Sequence, residues 1–132
     1  MPIHTFTVKT QRRTQMVDIT AEVAKFVATH APPEGICSVY VPHATAAITI
    51  NENADPQVCE DILEALGKVA PQGVWRHDRV DGNADAHIKA SLIGSGQSIP
   101  VRGGKLLLGT WQAIMLVELD GPRTRTVHLT LR

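Results

Sequence analysis

The apolar residues of this 132-residue chain come in short bursts, and the clearest of these alternate. From Thr126 to Leu131, Val127, Leu129 and Leu131 share one face while Thr126, His128 and Thr130 share the other. A two-residue period lets a strand bury one side, whereas a helix would scatter the same residues around its axis. Ile3 to Lys9 repeats the pattern with His4, Phe6 and Val8 in step. The chain is therefore expected to be built on sheets, with helices added where the spacing lengthens.

Further strands are expected over Met16–Ile19, Ile36–Val41, Ala46–Asn51, Gln97–Val101, Lys105–Leu108 and Gln112–Leu119. Pro100 lacks an amide donor and places its strand at an edge or an end. Gly103-Gly104 suits a two-residue hairpin turn, because glycine tolerates positive φ, and Asp120-Gly121-Pro122-Arg123 is a second turn. Thr20 is expected to cap a helix running to about His30. Asp55-Pro56 reads as the cap and first turn of another, with Val58, Ile62, Leu63, Leu66 and Val69 at helical spacing. Asn83 is expected to cap a third, Ala84 to about Ile93, stopped by Gly94. Seven or eight strands joined by short turns favour antiparallel pairing. The expectation is one α+β domain over residues 1–132, with largely antiparallel sheets and about three helices on one side.

Thirteen basic and thirteen acidic residues cancel. Bulk charge thus gives no reason to expect nucleic acid or an anionic membrane as partner, and it removes one barrier to self-association. The longest apolar run, Ala113–Val117, is strand-sized and falls far short of the roughly 20 residues a membrane span needs. Met1-Pro2-Ile3-His4 has neither the basic nor the apolar part of a secretory leader. Cys37 and Cys59 are far apart and outside any Cys-x-x-Cys pair, which fits reduced, buried thiols in the cytoplasm.

Three segments carry more catalytic-type side chains than folding needs. In Pro42-His43-Ala44-Thr45, a histidine follows a strand-ending proline among small neighbours; it is either a cleft residue or an ordinary turn histidine. In Trp75-Arg76-His77-Asp78, continuing through Asp81 and Asn83 to His87, the loop either solvates or brings two imidazoles to a helix start. Asp78 or Asp81 would then accept the second ring N–H of a histidine, and the free N–H groups near Asn83 and Ala84 would hold an anion. Three neutral imidazoles, His43, His77 and His87, would suit a divalent metal such as Zn with an open position, although no His-Glu-x-x-His motif supports it. In Gly109-Thr110-Trp111-Gln112, Trp111 either packs or forms, with Gln112, a wall for a flat heteroaromatic ring. Arg123 suits a phosphate or, equally, a turn salt bridge to Asp120. No nucleophile elbow, Walker loop or dinucleotide fingerprint is present.

Taken together, Pro42-His43-Ala44-Thr45-Ala46-Ala47-Ile48-Thr49-Ile50-Asn51-Glu52, His77-Asp78 with Asn83, Ala84, His87, Lys89, Ala90 and Ser91, then Gly109-Thr110-Trp111-Gln112 and Asp120-Gly121-Pro122-Arg123 resemble the YjbQ family, in the family's order and over nearly the whole chain. Ala44 departs from the Thr that members often carry. The resemblance implies a compact α+β fold, a homotrimer with polar clefts at or near subunit contacts, and a secondary thiamine-phosphate synthase activity. On that reading Lys89 and Arg123 contact phosphate or pyrophosphate, and His43, His77 and His87 bind a metal (Zn or Mg) or donate to the same oxygens. Asp78 orients an imidazole, Asn83 helps bind substrate, and Trp111 and Gln112 line the ring pocket. A metal- or small-molecule-binding trimer without this catalysis is the alternative.

Overall fold

Alternation along the sequence becomes register in the computed structural model, which describes residues 3–132; Met1 and Pro2, part of the stretch read for a leader, lie outside it. Eight strands and three α-helices follow one another: β1 (Ile3–Lys9), β2 (Gln15–Asp18), α1 (Thr20–His30), β3 (Glu34–Tyr40), β4 (Ala46–Glu52), α2 (Pro56–Val69), α3 (Ala84–Ile93), β5 (Gly96–Arg102), β6 (Lys105–Leu106), β7 (Gln112–Glu118) and β8 (Thr124–Leu131). A single 3₁₀ turn, Arg76–Arg79, interrupts the loop after α2.

All strand pairs are antiparallel, in a five-stranded sheet of order β1-β8-β3-β5-β6 and a three-stranded sheet of order β2-β7-β4. The main core lies where the two sheets face each other. Val39 and Ile99 from one sheet meet Ile48, Ile114 and Leu116 from the other, with Val127, Leu129 and Leu131 beneath them. Val23, Phe26 and Val27 of α1 enter this same core. The outer face of the small sheet carries Ala47, Val117 and Leu119, covered by Ala86 and Ala90 of α3 and by Leu63 of α2. Small residues at these contacts let α3 approach closely. The helices thus divide, two on the outer face of the small sheet and one in the shared core, because β4 and β7 are apolar on both faces.

Local chemistry explains the element ends. Asp55 caps α2, its carboxylate accepting from the Gln57 N–H at 2.9 Å, with Pro56 in the first turn. Gly103 and Gly104 join β5 to β6 at φ +58 and +73, the left-handed values such a turn requires. Pro100 sits beside Ile36 in β5, whose outer neighbour β6 is only two residues long, so most of that edge is open. The segment Lys105–Leu108 pairs only over Lys105–Leu106. Thr20 is not a cap: it is the first residue of α1, and its hydroxyl accepts the Ile114 N–H at 2.9 Å. Asp18 instead receives the Thr20 N–H.

α2 lies lightly on the body. Of its apolar stripe only Cys59 is buried; Val58, Ile62 and Leu66 are half-covered and Val69 is exposed. Among the described residues no helix is long and apolar enough to cross a membrane.

Candidate functional site

α3 and the loop between β3 and β4 converge at one end of the small sheet. The loop is held from below by charge. Glu118 and Arg125 form a fully buried ion pair, and both occupy core-facing strand positions, in step with Ile114 and Leu116 and with Val127 and Leu129. Arg125 also donates to the Thr45 carbonyl at 3.0 Å and the Thr45 hydroxyl at 2.9 Å. Glu118 accepts from the Thr10 hydroxyl at 2.7 Å and from the Leu119 and Asp120 N–H groups. Burial opposes ionisation of Glu118, but bonds from Arg125, Thr10 and the Asp120 amide prevail and hold its pKa below the ordinary value.

A second network lies under the first turn of α3. Asp85 is fully buried and accepts from Arg13 at 2.9 Å and from Lys89, one turn on, at 2.9 Å. Here too burial works against the charge and is overcome, by the bonds from Arg13 and Lys89. Asn83 donates to Asp120 at 2.8 Å, and Asp120 accepts from Arg123 at 3.0 Å. The Asn83 amide is oriented by that carboxylate, which leaves its Oδ1 buried and without a protein partner.

Above these networks lie two shallow hollows that share His87. One is lined by His77, Ala84, His87 and Ile88, and the other by His43, Ala44, His87, Ala90, Ser91 and Ser95. The His77 and His87 rings meet edge to face, centroids 5.0 Å apart. His43 accepts the Thr126 N–H at Nε2, 2.9 Å away. Its pKa is lowered by burial first and then by the positive charge of Arg125, with Glu118 opposing and Arg123 and His128 adding to the depression. The three histidines, distant in sequence, are therefore brought to one surface.

Several expected roles change. Asp78 does not orient an imidazole: its two oxygens accept the N–H groups of Trp75 and Ala84, each at 3.0 Å, so this carboxylate, and not Asn83, caps α3. Asp81 is the group beside His77, 3.4 Å from Nε2. With Asp78 on the Ala84 amide and Asp85 buried in the first turn, the helix start already holds its own negative charge, which removes the anion nest expected there. Lys89 is not free for phosphate, being buried on Asp85. Arg123 forms the turn salt bridge, yet its guanidinium is half exposed. Trp111 is exposed, and the Gln112 side chain accepts the Gly109 N–H. Both stand at the opposite end of β7 from Glu118, roughly 20 Å away at about 3.4 Å per residue, so one protomer does not bring them to the histidines.

The metal reading can be tested on donor geometry. His43 Nε2 is engaged by a backbone donor, and no group of three or more His, Cys, Asp or Glu among the described residues is arranged to hold a metal ion. Within one protomer His43, His77 and His87 do not fit a ligand set. Cys37 and Cys59 are free and buried, and burial pushes the Cys37 thiol up to about 11, far from a reactive thiolate.

Two antiparallel sheets, three helices and a histidine-lined surface over buried ion pairs define a small α+β domain. The chain belongs to the YjbQ/UPF0047 family: the family model described as UPF0047 protein YjbQ-like matches residues 4–132. A UPF0047 protein of Methanocaldococcus jannaschii is 45% identical over 126 residues, covering 96% of this chain and 91% of that protein. UPF0047 protein YugU of Bacillus subtilis is 44% identical, covering 98% of each chain. The crystal structure of a hypothetical protein from Aeropyrum pernix K1 superposes with a TM-score of 0.95 at 48% identity, covering 100% of this chain and 98% of that one. A YbjQ-like protein of unknown function from Sulfolobus solfataricus P2 gives 0.94 at 41% identity, covering 98% and 95%.

Proposed function

We propose that the chain binds a phosphorylated small molecule over His43, His87 and Arg123 and catalyses, as a secondary activity, a thiamine-phosphate-synthase-like condensation. A pyrimidine methyl diphosphate would join a thiazole phosphate with release of pyrophosphate. One observation carries this reading: His87 is common to both hollows, and neither is lined by a carboxylate. Departure of pyrophosphate needs its growing negative charge met by fixed donors and cations, and the two rings must be held in line. On this reading His43 and His87 would serve the first task from the hollow they share, and Arg123 from the separate one it lines with Lys9, Thr10 and Thr124. His77, edge-on to His87, limits how that ring can turn.

The ring wall is the part a single chain leaves unmade. Exposed Trp111, the half-covered stripe of α2 and the outward Val74 and Val80 are apolar surface that a neighbouring copy would cover. This supports self-association, which the proposal takes to be the cytoplasmic homotrimer that the family resemblance implies, with Trp111 and Gln112 reaching a neighbour's histidines; sedimentation equilibrium giving three chain masses is the expected result, and a monomer would remove the shared cleft. The reaction is tested by assaying purified protein and its His43→Ala and His87→Ala variants for thiamine phosphate. A fall of about tenfold or more in either is expected, and unchanged rates in both would refute the assignment. A trimer that binds small molecules or metal without this catalysis is the second reading, resting on the His77–His87–Asp81 contact. Stoichiometric metal by elemental analysis, with no synthase activity, would favour it.

A further inference from the structure

The backbone under His43 fixes which of its nitrogens carries the proton. β3 pairs with β8 only as far as Tyr40–His128. Two residues further along β8 the Thr126 N–H has no strand partner on that side, and the His43 ring takes the place one would occupy, accepting at Nε2. A ring nitrogen that accepts an N–H must present its lone pair, so in the neutral imidazole the proton sits on Nδ1. Turning the ring by half a revolution would set a ring carbon against the Thr126 N–H and lose the bond, so the orientation is fixed with the tautomer. The loop cannot easily drift, because Thr45, two residues on, is held twice by the buried Arg125.

A metal at Nδ1 would require the proton to move to Nε2, where it would face the Thr126 N–H head-on. Proton abstraction at Nδ1 meets the same obstacle, since the only lone pair is already used. What His43 offers its surroundings is a donor. Nδ1 has no protein partner among the described residues, and the hollow His43 lines contains His87, Ser91 and Ser95 but no acidic side chain. The Ser91 hydroxyl donates to the His87 carbonyl, 2.9 Å away, while the exposed Ser95 hydroxyl is free to donate.

We propose that His43 is a fixed, neutral Nδ1–H donor to an oxygen of a phosphate or diphosphate ester seated in this hollow, and neither a metal ligand nor a general base. The ligand class rests on the reading given under Proposed function, while the tautomer stands on the Thr126 contact alone. The test is long-range proton–nitrogen NMR on ¹⁵N-labelled protein at neutral pH. His43 is assigned by the loss of its signals in His43→Ala, and inorganic phosphate and Zn²⁺ are added in separate titrations. Expected are a protonated Nδ1 and an unprotonated Nε2. Phosphate should then move the Nδ1 signals with the tautomer retained, and phosphate affinity should fall about tenfold in His43→Ala, roughly the worth of one charge-assisted hydrogen bond. His43→Asn, which keeps an amide donor near the Nδ1 position, should restore part of it.

A proton found on Nε2, stoichiometric Zn²⁺ binding at Nδ1, or phosphate that leaves the His43 signals unmoved would each overturn the proposal. The two readings fail separately. Synthase activity alongside an Nε2-protonated His43 sinks the donor role alone. The expected tautomer and phosphate response, without thiamine phosphate formation, sinks the reaction alone.

Discussion

Replacing Arg125 by Met should be among the most damaging single changes on this molecule that leave its apolar packing in place. Met fills much of the guanidinium stem's volume but leaves the Glu118 carboxylate fully buried without its cation. Removing one partner of a buried pair costs about 3–5 kcal/mol. Glu118 keeps three donors, from Thr10, Leu119 and Asp120, which places the loss at the lower end, about 3 kcal/mol. For a chain of this length that is roughly a 10–15 °C fall in Tm. Denaturant unfolding followed by tryptophan fluorescence, at fixed protein concentration so that any assembly is held constant, reads the loss directly. Two internal checks follow. Glu118→Gln with Arg125→Met removes the stranded charge and should recover at least about 1 kcal/mol relative to Arg125→Met. In the single variant, burial with no cation raises the pKa of Glu118 in the folded state above that of the unfolded chain. The folded state then binds the extra proton, so the deficit should shrink as pH is lowered from 7 to 5. A deficit under about 1 kcal/mol, or a double variant that loses more than the single, would refute the claim that this pair anchors the His43 loop.

The native chain should behave oppositely in acid. Glu118, Asp85 and Asp120 all have folded pKa values below their unfolded ones, so their stabilisation is complete above the ordinary carboxylate range and is lost as pH falls through and below it. Unfolding free energy that stays flat from pH 6 down to pH 3 would contradict the networks. Glycine substitutions should split. A methyl on Gly121 would lie 2.7 Å from Glu118 Cγ and 2.9 Å from Thr10 Oγ1, and closer still to the Arg12 carbonyl, whereas one on Gly67 meets nothing within 4 Å. Gly121→Ala should therefore cost about 3 kcal/mol or more, while Gly67→Ala, inside α2, should stabilise by about 0.5–1 kcal/mol; denaturation midpoints in the reverse order would count against the packing described here.

How much of this was legible beforehand depends on the range of the interaction. Alternation, β-rich runs and turn residues locate every strand to within two residues, β6 included although it stops at Leu106, and Asp55-Pro56 locates α2, because those signals are carried by neighbours in sequence. Capping at Thr20 and Asn83 was misplaced for one reason: both side chains are drawn to distant strands and turns, Thr20 to Ile114 and Asn83 to Asp120. The histidines could be picked out as a set, yet nothing local said that Lys89 would be consumed by Asp85, or that Trp111 would stand at the far end of β7. The networks beneath the site were within reach of the same reasoning. Continuing the step of Leu131, Leu129 and Val127 back to Arg125, and of Ile114 and Leu116 on to Glu118, places two opposite charges on core-facing positions. A charge there must be paired, and that inference would have found the anchor of the His43 loop.

The site proposed above has phosphate oxygens bound by His43, His87 and Arg123. Calorimetric titration of inorganic pyrophosphate into the wild-type protein and into His87→Ala and Arg123→Ala is the decisive measurement. Binding should be saturable and should weaken about tenfold or more in each variant. Equal affinity in all three proteins would rule out a phosphate site at these side chains.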